Sequence, residues 1–137
     1  MSHTGQCLCG AVTYSAEGVE THFHSCHCGT CRRWGGGPGM AVAVQSVTFT
    51  GEDAIARYNS SEWAERGFCK RCGTNLFYYL KDPGSYMIWL GTFDDQSAFH
   101  IAGEIYIDAK PDSYALAGDH PRQTEAEFLA SIGMPPG

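Results

Sequence analysis

Seven cysteines in three short groups constrain the structure of this chain more than any other feature of its sequence. In chain order, the groups are Cys7 with Cys9; Cys26, Cys28 and Cys31; and Cys69 with Cys72. An odd number of cysteines cannot all pair as disulfides within one chain. The opening segment GQCLCGAVTYSAE also lacks the basic and then apolar pattern of a secretory leader. We therefore expect metal or redox chemistry rather than a disulfide scaffold.

The two-residue gap between Cys69 and Cys72, followed by Gly73, is typical of a zinc knuckle. The gap lets both sulfurs face one ion, and glycine permits a left-handed backbone where the turn closes. Cys7 and Cys9 are the natural partners, because residues i and i+2 of a strand point to the same face. These four cysteines predict a closed, structural zinc site. A free redox pair or unconnected buried thiols are the alternatives, although a redox pair usually opens a helix in a βαβ unit.

Only three cysteines, Cys26, Cys28 and Cys31, remain outside that set. Three protein ligands with one position for solvent or substrate are typical of catalytic zinc, whereas structural zinc is closed by four protein ligands. The segment SCHCGTCRRW therefore predicts an open site at which we expect catalysis. The alternative is a second structural site completed by His24 or His27, and the spacing alone does not decide between them.

Short alternating or β-branched segments dominate the rest of the chain and predict an all-β, mostly antiparallel fold. They are AVTYSAE (11–17), MAVAVQSVTFTG (40–51), TNLFYYL (74–80), SYMIWLGTF (85–93) and GEIYIDA (103–109). Turn-forming residues separate them, as in GGGPG (35–39) and in KDPGS (81–85), which has the composition of a hairpin turn. We expect the cysteine motifs at strand ends and turns, and we assign Trp63 and Phe77 to the core or to strand faces.

One short helix is predicted near the C-terminus, over residues 124–133. Thr124 is its expected N-cap, Glu127 lies three residues later as in a capping box, and Gly133 is the expected stop. No internal repeat or convincing linker divides the sequence, so we expect a single zinc-binding domain over residues 1–137.

The charge of the chain bears on its partners. It has 9 Lys and Arg residues against 15 Asp and Glu, which gives a formal net charge of −6. A nucleic-acid-binding protein normally presents a basic face to phosphates, so we expect no nucleic-acid partner. No segment approaches the about 18 consecutive apolar residues of a membrane span, and we expect a cytoplasmic protein without a membrane partner.

The residues directly after the second cysteine group are candidates for binding a ligand. Arg32 and Arg33 form a local basic pair, and a guanidinium can bind a carboxylate through two hydrogen bonds. Trp34 can form an apolar wall of the same pocket. The alternatives are solvated surface arginines and a tryptophan in the core.

Three segments carry a resemblance to a known family: CLCGAVTY, CHCGTCRRW and FCKRCGTNLFYY, in this order. Together they resemble the glutathione-dependent formaldehyde-activating enzyme family, which includes centromere protein V, over a core of residues 5–115. The resemblance implies an all-β fold of the β-tent kind with two zinc ions. It assigns Cys7, Cys9, Cys69 and Cys72 to the structural zinc and Cys26, Cys28 and Cys31 to the open, substrate-facing zinc.

The same resemblance implies an enzyme of the carbon–sulfur lyase type. Its substrates are a small-molecule thiol, glutathione, and a small aldehyde such as formaldehyde, and the adduct is S-hydroxymethylglutathione. Zinc in such a site either binds the thiol as a thiolate or polarises the aldehyde oxygen. The alternatives are a module that binds glutathione without turnover and a structural protein in which both zinc sites are closed.

Overall fold

Strands dominate the computed structural model, which describes residues 2–133 of the chain. The described strands are β1 (His3–Gln6), β2 (Thr13–Glu17), β3 (His22–Cys26), β4 (Gly39–Val44), β5 (Ser46–Thr50), β6 (Ile55–Asn59), β7 (Ala64–Cys69), β8 (Asn75–Leu80), β9 (Ser85–Trp89) and β10 (His100–Ile105). The described helices are α1 (Gly29–Gly35) and α2 (Glu125–Ser131). None of the helices within this range is long and apolar enough to cross a membrane.

The described residues group into two compact units. The first unit comprises the residues up to Thr21 together with Ala41–Phe99, and the second comprises His22–Met40 together with the residues from His100 onward. The first unit contains Cys7, Cys9, Cys69 and Cys72, and the second contains Cys26, Cys28 and Cys31. The single domain expected over residues 1–137 stays a prediction.

The first unit is built from antiparallel strands. One sheet has the order β1-β2-β5, and β4, β9, β8, β7 and β6 are hydrogen-bonded in that order. In β2, Tyr14 and Ala16 are buried while their neighbours are more exposed, as a strand with one core-facing side requires. The largest fully buried apolar side chains of this unit are Phe77, Leu76, Ile88, Val12 and Val42.

The β7–β8 pair is closely packed shortly before the Cys69–Cys72 segment. Gly67 lies opposite Phe77, and a Cβ at Gly67 would lie only 2.1 Å from Phe77 Cζ. Only glycine leaves room for the ring at this point. The register of the pair shifts between Gly67 and Phe68, and β7 then ends at Cys69.

The second unit is organised around β3 and β10, which form a parallel pair. In this register Ser25 lies opposite Glu104, and Cys26 lies opposite Ile105. A further parallel bridge joins Glu104 to Arg122. The chain therefore returns alongside β10 shortly before α2 begins.

The mostly β architecture and the short C-terminal helix are confirmed. The Thr124 hydroxyl accepts a hydrogen bond from the Glu127 N–H (3.2 Å), and the Glu127 carboxylate accepts one from the Thr124 N–H (2.9 Å). Gly133 follows α2 in the left-handed conformation, with φ of 78°. The hairpin turn predicted at 81–85 connects β8 to β9, which pair antiparallel.

Three local predictions are wrong. Cys31 lies inside α1 rather than at a strand end or turn, and the glycine-rich segment after it supplies the helix cap at Gly36. The single strand-like segment at 40–51 divides into β4 and β5, because Gln45 leaves the strand and donates its N–H to Glu17. Trp63 is 57% exposed and precedes β7, so it lies neither in the core nor on a strand face.

Candidate metal centres

Four cysteine side chains converge in the first unit. The Sγ atoms of Cys7, Cys9, Cys69 and Cys72 all lie within 4.8 Å of one another. Cys9 Sγ is 3.7 Å from Cys7 Sγ and 3.8 Å from Cys69 Sγ. Cys7 and Cys69 are buried, whereas Cys9 is exposed. This four-cysteine group joins two segments that are 60 residues apart in sequence.

A tight turn, and not a strand, brings Cys7 and Cys9 together. β1 ends at Gln6, and Gly10 has a left-handed φ of 79° and donates its N–H to Cys7 O (3.2 Å). The Val12 N–H donates to Cys7 Sγ at 3.3 Å. The two sulfurs converge as predicted, but a turn brings them together, and not the alternation of side chains along a strand.

The knuckle at the end of β7 has the closing glycine that the sequence predicts. Gly73 has φ of 78°, and its N–H donates to Cys69 O at 2.8 Å. The Thr74 hydroxyl lies 3.1 Å from Cys72 Sγ and accepts a hydrogen bond from the Leu8 N–H (3.0 Å). Thr74 therefore connects the two halves of the four-cysteine group.

Hydrogen bonds and neighbouring sulfurs shift the thiol pKa values of this group in opposite directions. Hydrogen bonds from the side chain and backbone of Thr74 lower the pKa of Cys72 to about 5. The Ala11 backbone favours the Cys9 thiolate, but desolvation and the neighbouring sulfurs outweigh it and raise the pKa of Cys9 to about 11. Adjacent thiolates repel one another unless a cation neutralises them, and thiolates are ligands that suit zinc. The donor set fits a closed zinc site.

The second cysteine group lies entirely in the second unit. The Sγ atoms of Cys26, Cys28 and Cys31 lie within 4.8 Å of one another. Cys26 ends β3, Cys28 is the N-cap of α1, and Cys31 is buried in α1. Cys28 Sγ accepts a hydrogen bond from the Cys31 N–H at 3.3 Å, in the manner of a capping side chain. Cys28 and Cys31 raise the pKa of Cys26 far above its ordinary value, so this three-cysteine group also fits a bound cation.

Among the described residues, neither His24 nor His27 supplies a fourth ligand atom to the three-cysteine group. His27 is fully buried, with Nε2 2.6 Å from Glu104 Oε1 and Nδ1 2.9 Å from the Tyr114 hydroxyl. Both ring nitrogens thus have partners other than a metal. The ring of His24 packs against Gly103, where an added Cβ would lie 3.1 Å from His24 Cδ2.

A buried carboxylate organises the surroundings of His27. The side chain of Glu104 is 1% exposed, and its Oε2 atom lies 2.5 Å from His120 Nε2 and 2.8 Å from Arg122 Nε. Burial alone would raise the pKa of Glu104, but hydrogen bonds from His120 and His27 and the charge of Arg122 outweigh it, so the pKa is lowered. An ionised carboxylate only accepts hydrogen bonds, so each of these nitrogens donates.

The residues predicted to bind a ligand lie on α1, directly after the three-cysteine group. Arg32 is half-buried and donates from Nε to His27 O at 3.0 Å. Arg33 is exposed and Trp34 is half-buried. Their contact with a ligand stays a prediction.

Four partners of His27 and of its carboxylate, namely Glu104, Tyr114, His120 and Arg122, were not predicted as site residues. Glu104 is 77 residues from His27, and Tyr114 is 87 residues from it. The available signal was a charged residue inside GEIYIDA, an otherwise apolar strand segment, because a buried charge needs compensating partners.

The mostly β fold and the two converging cysteine groups define a small protein that could hold two metal ions. This chain belongs to the glutathione-dependent formaldehyde-activating enzyme family, which matches residues 2–109. It is 35% identical over 132 residues to an uncharacterized lyase of Schizosaccharomyces pombe, with 95% of this chain and 96% of that protein covered. A crystal structure of a Rhodobacter sphaeroides protein has a similar fold, with a TM-score of 0.58 and 20% identity over 87% of this chain and 98% of that one. The resemblance is confirmed, and the family and the relative support a glutathione-related lyase.

Proposed function

We propose that this protein is a zinc-dependent carbon–sulfur lyase that forms or cleaves an adduct of glutathione and a small aldehyde, such as S-hydroxymethylglutathione. The observation that carries the proposal is the division of its cysteines into a group of four and a group of three. Four thiolates complete a tetrahedral zinc site, whereas three leave one position for a substrate. The turning of His27 towards Glu104 supports an open fourth position, because neither ring nitrogen is directed to the sulfurs.

The reaction joins a thiol and a carbonyl. The sulfur bonds to the aldehyde carbon, the carbonyl π electrons move to oxygen, and the proton that leaves sulfur ends on that oxygen; cleavage is the reverse. A free alkyl thiol has a pKa of about 8.5 and is mostly protonated at neutral pH. Zinc held by Cys26, Cys28 and Cys31 would stabilise a thiolate or polarise a carbonyl oxygen.

Residues of α1 are proposed to bind the glutathione. We assign a glutathione carboxylate first to Arg33, because it is exposed, and then to Arg32, whose Nε already holds His27 O. Trp34 is proposed to contact an apolar part of the same ligand. We further propose a β-tent architecture, a single functional domain and action in the cytoplasm without a nucleic-acid partner. The net charge of −6 supports the absence of a nucleic-acid partner.

The test combines metal content with turnover. Purified protein should contain two zinc ions per chain, and it should accelerate the exchange between free and adduct formaldehyde in a glutathione solution, measured by NMR above the uncatalysed rate. Cys28→Ser should lose this acceleration and one zinc ion while retaining its circular dichroism spectrum. Thr30→Ser is the matched control, because Thr30 is an exposed residue of α1 that supplies no sulfur.

Two outcomes would point to the alternative functions. Two zinc ions and glutathione binding without acceleration would indicate a thiol-binding module. A second zinc closed by a fourth protein ligand would indicate a structural protein and would contradict the proposed enzyme.

A further inference from the structure

His27 separates Cys26 from Cys28, and all four of its polar groups are held. Its N–H donates to Ile105 O (3.2 Å), and its carbonyl accepts from Arg32 Nε (3.0 Å). Its Nε2 donates to Glu104 Oε1 (2.6 Å), and its Nδ1 lies 2.9 Å from the Tyr114 hydroxyl. In the neutral imidazole, Nδ1 then accepts the Tyr114 O–H.

These bonds restrain His27, which is the only residue between Cys26 and Cys28. A backbone fixed at both its N–H and its carbonyl restricts the peptide groups that lead to Cys26 and to Cys28. The side-chain bonds of His27 add a second restraint, since the ring cannot turn without breaking its bond to Glu104. The distance between the attachment points of the two sulfurs is therefore set by bonds that involve no sulfur.

Glu104 is itself held firmly enough to act as an anchor. Its backbone N–H donates to Pro121 O, and its carbonyl accepts from the Gln123 N–H, both at 2.9 Å. Its carboxylate is 1% exposed and also accepts from His120 and Arg122. A buried carboxylate with three donors has few alternative conformations, because moving it would leave charge without a partner.

We propose that His27 is a positioning residue of the three-cysteine group, anchored by Glu104 and Tyr114. The inference rests on the proposed function in so far as the three-cysteine group binds zinc. His27 acts through the cysteines: it holds Cys26 and Cys28 at the spacing in which their sulfurs meet that of Cys31 before the ion arrives. The result is an open site whose geometry does not depend on a fourth ligand.

The experiment compares the two metal sites within one molecule. The affinity of each site for zinc is measured by competition with a chromophoric chelator, and Cys28→Ser identifies which affinity belongs to the three-cysteine group. His27→Gln keeps one hydrogen-bonding amide but cannot reach both partners, and Tyr114→Phe removes a single hydroxyl from a half-buried side chain. His100→Gln is the control, because His100 is exposed on β10 and forms no bond to Glu104 among the described contacts.

Loss of an orienting partner typically lowers metal affinity by about 10–100-fold. We expect a decrease of this size at the three-cysteine group in His27→Gln, a smaller decrease in Tyr114→Phe and no change in His100→Gln. The four-cysteine group should keep its affinity in all three variants. In the cobalt-substituted protein, the sulfur-to-metal absorption of the three-cysteine group alone should shift in His27→Gln.

Several results would overturn the inference. One is an unchanged affinity in both His27→Gln and Tyr114→Phe. Another is an equal loss at both sites that follows a drop in melting temperature, since that is the effect of a purely structural network. Cobalt spectra that show imidazole ligation would also contradict it, as would a wild-type chain that binds one ion only. Two zinc ions without formaldehyde turnover would instead refute the proposed function and leave the positioning result standing.

Discussion

Loss of the four-cysteine site is expected to destabilise the protein more than loss of the three-cysteine site. A metal ion that joins Cys9 to Cys69 closes a loop of 60 residues. The same kind of ion at Cys26, Cys28 and Cys31 closes a local segment within six residues of chain. The two sites use the same chemistry and differ in the span that they close.

The spans give the magnitude. The entropy of closing a 60-residue loop corresponds to about 4 kcal/mol at 25 °C, whereas a loop of five residues gives about 2 kcal/mol. Against a typical domain stability of about 5–15 kcal/mol, the first value is a large fraction. For a chain of this length, about 4 kcal/mol corresponds to a decrease in melting temperature of about 10–20 °C.

The assay is thermal unfolding followed by circular dichroism, with zinc content measured on the same samples. Cys69→Ser should show the larger decrease in melting temperature, and Cys28→Ser should show about half of it. Excess chelator should lower the melting temperature of the wild type to that of Cys69→Ser or below, and added zinc should restore it.

The reasoning would be refuted by Cys69→Ser with the melting temperature of the wild type. It would also be refuted by a larger decrease in Cys28→Ser than in Cys69→Ser, because loop closure would then not determine the ranking. The Thr30→Ser variant, which changes no sulfur, should melt with the wild type.

Three other substitutions test the buried carboxylate, the cap of α2 and the packing of β7. Glu104→Gln replaces one accepting carboxylate oxygen with an amide NH2, which cannot accept from the donors around it. The substitution should lower the free energy of unfolding by about 3–5 kcal/mol. Because the pKa of Glu104 is lowered in the fold, its stabilisation is fully present above its ordinary pKa of 4.5 and is lost as the pH falls through the lowered pKa. The wild type and Glu104→Gln should therefore converge in melting temperature as the pH is lowered below 4.5. Thr124→Ala removes the α2 cap and should lower the urea midpoint by the equivalent of about 1 kcal/mol, with no effect on zinc content. Gly67→Ala should destabilise the protein by about 1–3 kcal/mol in the same titration, since its Cβ meets Phe77; a neutral result would contradict the packing argument.

Local sequence signals predicted those parts of the molecule whose causes are local. The capping box of α2 needs only Thr124 and Glu127, which are three residues apart, and the structure contains both of its hydrogen bonds. The closing role of Gly73 likewise depends on one turn. The partition of the cysteines into four and three was also accessible, because chain spacing and ligand number sufficed.

The sequence did not predict features that depend on distant residues or on an unusual helix cap. α1 begins with a cysteine as its N-cap, which is outside the usual set of Ser, Thr, Asp and Asn, and glycines lie at its ends. The direction of the His27 ring is set by Glu104 and Tyr114, which only the fold brings close. Spacing therefore could not decide whether His27 points to a metal or away from it.

The residues that anchor His27 are synthesised long after the three cysteines around it. The three cysteines around it are complete once Cys31 has been added, but its anchor Glu104 follows 73 residues later, and the partner of that anchor, Arg122, comes 91 residues after Cys31. At roughly 5–20 residues per second, a ribosome needs about 5–18 s to cover this interval. During that time the thiols of the three-cysteine group lack the contacts that hold His27 in place. The four-cysteine group, in contrast, has all of its sulfurs as soon as Cys72 emerges. We therefore expect the growing chain to bind an ion at the four-cysteine group first and at the three-cysteine group last.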